Sequence, residues 1–139
     1  MIIIAIVITF NIICSNYTSN SVSDLECGLN QMRQDLENEN KDEEKINKDL
    51  IMIKQSWKEK YQKLAFYIEH DELEKIENDI YAITADIETE EYEQAIENIE
   101  KCNEELEKRN FQLINELNGI KNSKSWKILH RINKLKNKK

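Results

Sequence analysis

Residues 73–87 read LEKIENDIYAITADI, and this stretch decides the fold class. Its apolar positions are three or four residues apart: Leu73, Ile76, Ile80, Ile83 and Ile87. This spacing places the apolar side chains on one stripe of an α-helix, because the helix completes a turn about every 3.6 residues. A narrow stripe packs against partner helices rather than around a wide core, so the stretch predicts one member of a helical bundle.

The same spacing continues on both sides of this stretch. On the N-terminal side the stripe positions are Leu25, Leu29, Met32, Leu36, Ile46, Leu50, Ile53, Trp57, Leu64 and Ile68. On the C-terminal side they are Tyr92, Ile96, Ile99, Cys102, Leu106, Leu113, Leu117 and Ile120. The 139 residues include two glycines and no proline, which suits long helices. The sequence therefore predicts an all-α protein: an antiparallel helical hairpin or three-helix bundle with coiled-coil character over residues 24–120.

Short polar signals predict where the helices begin and end. Residues 38–45 are all polar, and they are either a solvated stretch of one long first helix or a break into two. Asp71 followed by Glu74 has the spacing of a capping box, so we expect Asp71 to cap the second helix. Thr89 precedes several glutamates, and we expect it to cap the third helix, which ends near Gly119.

The predicted helix lengths indicate which residues pack together. We expect Trp57, Phe66 and Ile68 to pack one end of the bundle and Ile80 to lie within it. The second helix is too short to cover the first half of the first helix. The stripe of Leu25, Leu29, Met32 and Leu36 would then lack a partner within the chain, which predicts self-association or a protein partner.

Residues 1–16 form an apolar segment that differs from the rest. The run over residues 2–14 is interrupted only by Thr9 and Asn11. It is shorter than the roughly 20 residues of a spanning helix, and no basic residue precedes it. We favour an uncleaved single-pass anchor in the cell membrane, with a cleaved signal or an incidental apolar end as alternatives. A polar linker is expected over residues 17–23.

The distribution of charge predicts the side of the membrane and a surface for anions. Acidic residues follow the apolar segment and no basic residue occurs before Arg33, which favours a body outside the cytoplasm. The net charge is −7, yet residues 121–139 form a basic tail. This tail is either a solvated end or a contact for an anionic surface, with nucleic acid the least favoured partner. Its candidate contact residues are Lys124, Trp126, Lys127, Arg131 and Lys134.

No residue pattern predicts catalysis, a metal ion or a cofactor. His70, Asp71 and Glu74 form the one cluster that resembles such a site, but the predicted helix break separates them. The sequence has no phosphate-binding glycine loop and no serine nucleophile elbow. We therefore expect a protein that is not an enzyme.

Three segments carry a resemblance to a known family. They are the stretch that begins at Trp57, residues 64–76 with the sequence LAFYIEHDELEKI, and residues 92–96 with the sequence YEQAI. Together they resemble the family of domain of unknown function 4363, small proteins of Gram-positive spore formers. The resemblance implies a membrane-anchored helical protein without an established activity. The longer last helix and the basic tail depart from the family pattern.

Two functions from different classes agree with the sequence. The first is a non-enzymatic membrane-anchored protein that acts outside the cytoplasm as a scaffold or interaction module, through contacts between helices. The alternative is a cytoplasmic coiled-coil adaptor whose basic tail binds polyanions, either nucleic acid or an anionic membrane surface. The location of the helical body distinguishes them.

Overall fold

The computed structural model describes residues 2–124, 126–128 and 131, and the regular structure in that part of the chain is entirely α-helical. The all-α prediction is confirmed, with four long helices instead of three. They are α1 (Ile2–Glu37), α2 (Glu43–Leu64), α3 (His70–Glu88) and α4 (Tyr92–Asn122).

The chain divides into two compact units. The central unit is Asn20–Lys108, and the terminal unit combines Met1–Ser19 with Arg109–Lys139. Both α1 and α4 contribute residues to each unit. The central unit contains the loops between the helices, whereas the terminal unit contains the apolar segment and the basic tail.

The four helices of the central unit run antiparallel to their neighbours. Two polar contacts for each of three helix pairs fix these directions. They are Asp24–Lys60 and Asp35–Lys45 between α1 and α2, Asp79–Lys101 and Asp86–Asn98 between α3 and α4, and Arg33–Glu100 and Asn30–Asn103 between α1 and α4. In the α1–α2 pairs, a later residue on one helix meets an earlier residue on the other. Helices α2 and α3 also contact each other directly. The central unit is therefore an up-down-up-down helical bundle.

The core of the bundle consists of the apolar stripes. Each helix contributes buried side chains, among them Leu29, Met32, Leu36, Ile46, Leu73, Ile83, Ile99, Cys102 and Leu106. Burying one leucine or isoleucine side chain completely contributes about 1.5–3 kcal/mol to folding. The periodic apolar positions thus supply the main driving force for the bundle.

The polar gap after α1 is a break between two helices. Residues 38–42 are not helical, and the Asp42 side chain accepts a hydrogen bond of 3.1 Å from the amide of Lys45, which caps α2. Helix α2 consequently folds back along α1. At Gly28 the helices approach closely, since a Cβ atom there would lie 3.3 Å from Cγ1 of Ile53.

This reversal corrects one prediction. Leu25, Leu29, Met32 and Leu36 were expected to lack a partner within the chain, but all four are buried. The expectation was wrong because it treated α1 and α2 as a single helix. Self-association of the folded bundle through this stripe has no exposed surface to use.

The expected linker is helical. Residues 17–23 lie within α1, and Ser21 and Val22 are buried. The Thr18 hydroxyl donates to the carbonyl of Cys14 at 2.9 Å, so this polar side chain is satisfied within the helix. With neither glycine nor proline in the segment, nothing in its backbone interrupts the helix at Asp24.

The caps of α3 differ from the prediction at both ends. Helix α3 begins at His70 with Glu69 as N-cap, so Asp71 lies in the first turn and does not cap it. Thr89 is the C-cap of α3, because its hydroxyl donates back to the carbonyl of Ala85 at 2.9 Å. Helix α4 starts later, at Tyr92, and continues past Gly119 to Asn122.

The turn between α3 and α4 is a Schellman motif. Glu90 has a φ of 60°, and its amide donates to the carbonyl of Ile87 at 3.1 Å. The Glu91 amide donates to the carbonyl of Asp86 at 2.8 Å. This pattern of hydrogen bonds satisfies the last carbonyl groups of α3 and turns the chain toward α4.

Candidate functional site

The apolar segment of α1 exposes large side chains in the terminal unit. Ile3, Ile6, Val7, Phe10 and Ile13 are all more than half exposed. In the same unit, the Ser19 hydroxyl donates to Oδ1 of Asn110 at 3.1 Å, which joins α1 to the second half of α4. By length and composition, α1 contains a stretch apolar enough to cross a membrane, with a mean hydropathy of 1.3 over 18 residues.

The polar residues within this apolar run are satisfied by the helix itself. The Thr9 hydroxyl donates to the carbonyl of Ala5 at 2.8 Å, and the Asn11 side-chain amide donates to the carbonyl of Val7 at 2.9 Å. In hydrocarbon an unsatisfied donor costs several kcal/mol. These hydrogen bonds remove much of that cost, so the two residues do not disqualify the segment from contact with lipid.

The residues expected at the end of the bundle separate into two groups. Trp57 and Ile68 are buried in the central unit, and Ile80 is buried on α3. Phe66 was expected to pack beside them, yet 87% of its surface is exposed. The expectation was wrong because the inward positions here are taken by Leu64, the last residue of α2, and by Ile68 in the α2–α3 loop.

The cluster around His70 forms a contact between helices. The Nδ1 atom of His70 on α3 lies 3.2 Å from the hydroxyl oxygen of Tyr61 on α2. In the described part of the chain, no group of three or more histidine, cysteine, aspartate or glutamate side chains could hold a metal ion. The arrangement links the start of α3 to α2.

An open groove of about 620 Å³, which was not predicted from the sequence, lies between α2 and α3. Trp57, Tyr61 and Tyr81 line it together with polar side chains. The Nε1 atom of Trp57 is buried without a hydrogen-bond partner among the described residues. In the sequence, the feature that could have indicated this groove is the aromatic pair of Trp57 and Tyr61, which are one helical turn apart.

The basic tail is partly described. Lys124, Lys127 and Arg131 are exposed, Trp126 is half-buried, and Lys134 lies outside the described residues. The Ser123 hydroxyl accepts a hydrogen bond of 3.2 Å from the amide of Trp126, which begins a helical turn after α4. The described cations therefore face solvent, where an anion could reach them.

The three cysteines are free and differ in environment. Cys27 on α1 is exposed, whereas Cys102 on α4 is completely buried. Desolvation raises the pKa of the Cys102 thiol to about 12, so it stays protonated at neutral pH. Because the thiolate is the reactive form, Cys27 is the accessible site for a thiol reagent.

Comparison with known proteins identifies a family. The model of the family described as domain of unknown function (DUF4363) matches residues 12–120, which covers most of the chain. No curated protein and no solved structure matches.

Proposed function

The chain belongs to the DUF4363 family, and we propose that it is a non-enzymatic, membrane-anchored protein that acts as an interaction module outside the cytoplasm. In this proposal the apolar segment of α1 crosses the cell membrane once. The central unit is the part that contacts partners, through the outward faces of its helices.

The observation that carries this proposal is the exposed apolar surface of α1. No charged side chain occurs in residues 2–23. The part of this stretch that precedes the central unit, residues 2–19, extends roughly 27 Å at about 1.5 Å per residue, which is close to the hydrocarbon core of about 30 Å. The side chains of Thr9 and Asn11 support the same role, because they donate hydrogen bonds to carbonyl groups of the same helix.

The charges around the segment support the proposed orientation. Asp24 and Glu26 follow the apolar stretch, and the first basic residue is Arg33. Cytoplasmic flanks of membrane helices are enriched in lysine and arginine, which this flank lacks near the segment. This charge pattern is the reason that the proposal has the central unit outside the cytoplasm.

The core of the central unit supports a role without catalysis. It is filled mainly by aliphatic side chains, and the ion pairs lie around it. In this proposal the protein acts through contacts at its surface. Because the stripe from Leu25 to Leu36 is buried, the proposal assigns the partner contact to the outward faces of the helices.

A cytoplasmic adaptor is the second candidate, and the exposed cations of the tail favour it. Lys124, Lys127 and Arg131 could hold phosphates of a nucleic acid or of an anionic membrane surface. Salt-sensitive binding to DNA, RNA or anionic vesicles that is lost on deletion of residues 122–139 would support this function.

The decisive experiment locates the central unit by thiol labelling. A variant that keeps only Cys27, made by Cys14→Ser and Cys102→Ala, is treated with a membrane-impermeant maleimide in intact cells, in a lysate and after denaturation. Labelling in intact cells supports the proposal. Labelling only after lysis places the unit in the cytoplasm and favours the adaptor.

The matched control keeps only Cys102, made by Cys14→Ser and Cys27→Ser. Because this thiol is buried and its pKa is raised to about 12, we expect labelling only after denaturation. Extraction of the membranes with alkaline carbonate tests the anchor separately. Release of the intact chain from the membrane fraction would contradict the proposed anchor.

A further inference from the structure

The faces of α2 and α3 beside the groove carry opposite charges. Residues 50–64 of α2 include four lysines and one glutamate. Helix α3 includes seven acidic residues and one lysine. Lys54 and Lys58 line the groove from α2, and Glu77 lines it from α3. The surface is therefore divided along the groove into a basic half and an acidic half.

Three residues of each helix lie in a line along this groove. On α2 they are Ile51, Lys54 and Lys58, and on α3 they are Glu74, Glu77 and Tyr81. Both sets have the spacing i, i+3 and i+7, which places each set on one face of its helix. Four of the six residues line the groove itself, and Ile51 and Glu74 lie one helical turn further along the same lines. Each helix thus presents a continuous line of side chains beside the groove.

The two lines match each other level by level. The hydroxyl oxygen of Tyr61 on α2 lies 3.2 Å from Nδ1 of His70 on α3. Because the helices are antiparallel, equal steps back along α2 and forward along α3 lead from this contact to residues at the same level. To within one residue, the pairs at one level are Lys58 with Glu74, Lys54 with Glu77, and Ile51 with Tyr81. Each level therefore joins two groups of opposite charge or two apolar groups.

These side chains have no such partner within the chain. In the described part of the chain, none of the four charged side chains on the two lines forms an ion pair. The two apolar members are mostly exposed, at 64% for Ile51 and 57% for Tyr81. A second copy of the same face would offer every one of these groups its complement.

We propose that the central unit binds a second copy of the chain through this face, about a two-fold axis that runs parallel to the helices along the groove. Such an axis keeps every residue at its own level and lays α2 of one copy on α3 of the other. The contacts with the partner subunit are then Lys54 with Glu77, Lys58 with Glu74, and Ile51 with Tyr81, and each occurs twice.

The distribution of charge also selects this axis over the alternative one. A two-fold axis across the helices would lay α2 on α2 and α3 on α3, and it would bring lysines to lysines and glutamates to glutamates. Like charges placed together at an interface oppose association. The inference rests on the proposed function, since it names the partner of the interaction module, but it does not depend on the membrane anchor.

Charge reversal in the full chain tests this contact, with sedimentation equilibrium in a density-matched detergent as the measurement. One variant carries Lys54→Glu with Lys58→Glu, and a second variant carries Glu74→Lys with Glu77→Lys. We expect each variant alone to raise the dissociation constant of the dimer by about tenfold or more, because like charges then meet at the interface. Far-UV circular dichroism checks that both variants keep the helicity of the wild type.

Mixing the two variants separates a lost contact from a damaged fold. In the mixed dimer, α2 and α3 of the two copies again join opposite charges, so an equimolar mixture should recover the affinity of the wild type. The matched control is Glu97→Lys with Glu104→Lys, which makes the same change of charge at exposed positions of α4. This control should dimerise like the wild type.

Disulfide formation between copies tests the orientation. Ile51→Cys and Tyr81→Cys are made in separate chains that also carry Cys14→Ser and Cys27→Ser, while the buried Cys102 remains. We expect the mixture of the two chains to cross-link faster than either chain alone, since the proposed axis brings position 51 of one copy to position 81 of the other.

Three outcomes would overturn the inference. They are a wild-type chain that stays monomeric at micromolar concentration, a dimer that withstands the charge reversals or is not recovered by mixing, and fastest cross-linking of Ile51→Cys with itself. None of these results bears on the membrane anchor, which the carbonate extraction tests. A dimer that is released by carbonate would contradict the anchor and support the contact between copies.

Discussion

Nζ of Lys101 on α4 lies 2.5 Å from Oδ1 of Asp79 on α3, and the Asp79 side chain is almost completely buried. Burial of a carboxylate is costly unless a cation or hydrogen-bond donor compensates for it. Lys101 therefore stabilises the bundle by neutralising Asp79, even though most of the lysine side chain is exposed. The hydrogen bond from Lys101 to Asp79 is also the main reason that the pKa of this lysine is raised.

Replacing this lysine should destabilise the bundle. Lys101→Met keeps the apolar stem and removes the charge, so we expect the free energy of unfolding to fall by about 2 kcal/mol. Urea denaturation of the full chain in mild detergent measures the change. Lys108→Met, two helical turns further along α4, is the control and should have little effect. Equal stability of Lys101→Met and the wild type would contradict a compensating role for Lys101.

The buried environment of the Glu26 carboxyl predicts that the stability of the bundle depends on pH. Its pKa is raised by desolvation and, second, by the negative charge of Glu107 on α4. Oε1 of Glu26 is buried without a partner among the described residues. Because the pKa is higher in the folded state, the folded protein binds this proton more tightly. The contribution of Glu26 to stability is therefore most favourable below the ordinary value of 4.5 and declines as the pH rises through the raised pKa.

Glu26→Gln should remove this dependence. We expect the variant to be more stable than the wild type at pH 7, by up to about 1 kcal/mol for a partly exposed group. The difference should disappear below pH 4.5, where the wild-type carboxyl is also neutral. Urea denaturation at both pH values measures this difference in the free energy of unfolding. Glu104→Gln, which changes an exposed residue, is the control. A difference of the same size at both pH values would show that protonation of Glu26 is not the cause.

The backbone conformation of Glu90 predicts that one substitution at this position stabilises the protein. With a φ of 60°, it occupies the left-handed region at the end of α3, where a side chain is strained. Glu90→Gly should relieve this strain and raise the free energy of unfolding by roughly 0.5–1 kcal/mol, after the greater flexibility of glycine in the unfolded chain is subtracted. Thermal unfolding followed by circular dichroism measures the gain. Glu90→Ala keeps a side chain at this φ and serves as control, so an equal gain from both would exclude the conformational explanation.

The periodic stripe was sufficient to predict helices, but not how many there are. A run of polar residues fits both an exposed stretch of helix and a break, and residues 38–42 are a break because α2 gains a packing surface by folding back on α1. Thr89 is ambiguous for a similar reason. A threonine can accept a hydrogen bond from an amide at the start of a helix or donate to a carbonyl at its end, and here it donates to Ala85.

The exposed positions were the hardest to predict. Apolar residues near a helix end are expected to be buried, yet Phe66 is excluded because Leu64 and Ile68 fill the available inward positions. Which of three neighbouring apolar residues turns outward depends on the loop hydrogen bonds, and these depend on tertiary contacts. The groove beside Trp57 likewise depends on how far α2 and α3 separate, which spacing along the sequence does not determine.

Ile80 provides the most direct test of the bundle itself. Its side chain is 2% exposed within α3, so Ile80→Asp would place a carboxylate at a buried position that holds an apolar side chain in the wild type. We expect a loss of several kcal/mol, which is a large part of a total stability on the order of 5–15 kcal/mol and leaves a bundle at the low end of that range barely folded or unfolded. Circular dichroism should show reduced helicity and a broad transition at low temperature. Tyr81→Asp, at the exposed neighbouring position, introduces the same group into solvent and should keep the wild-type helicity. If both variants unfolded alike, the loss would reflect a general intolerance of α3 to aspartate, and burial of the stripe would not explain it.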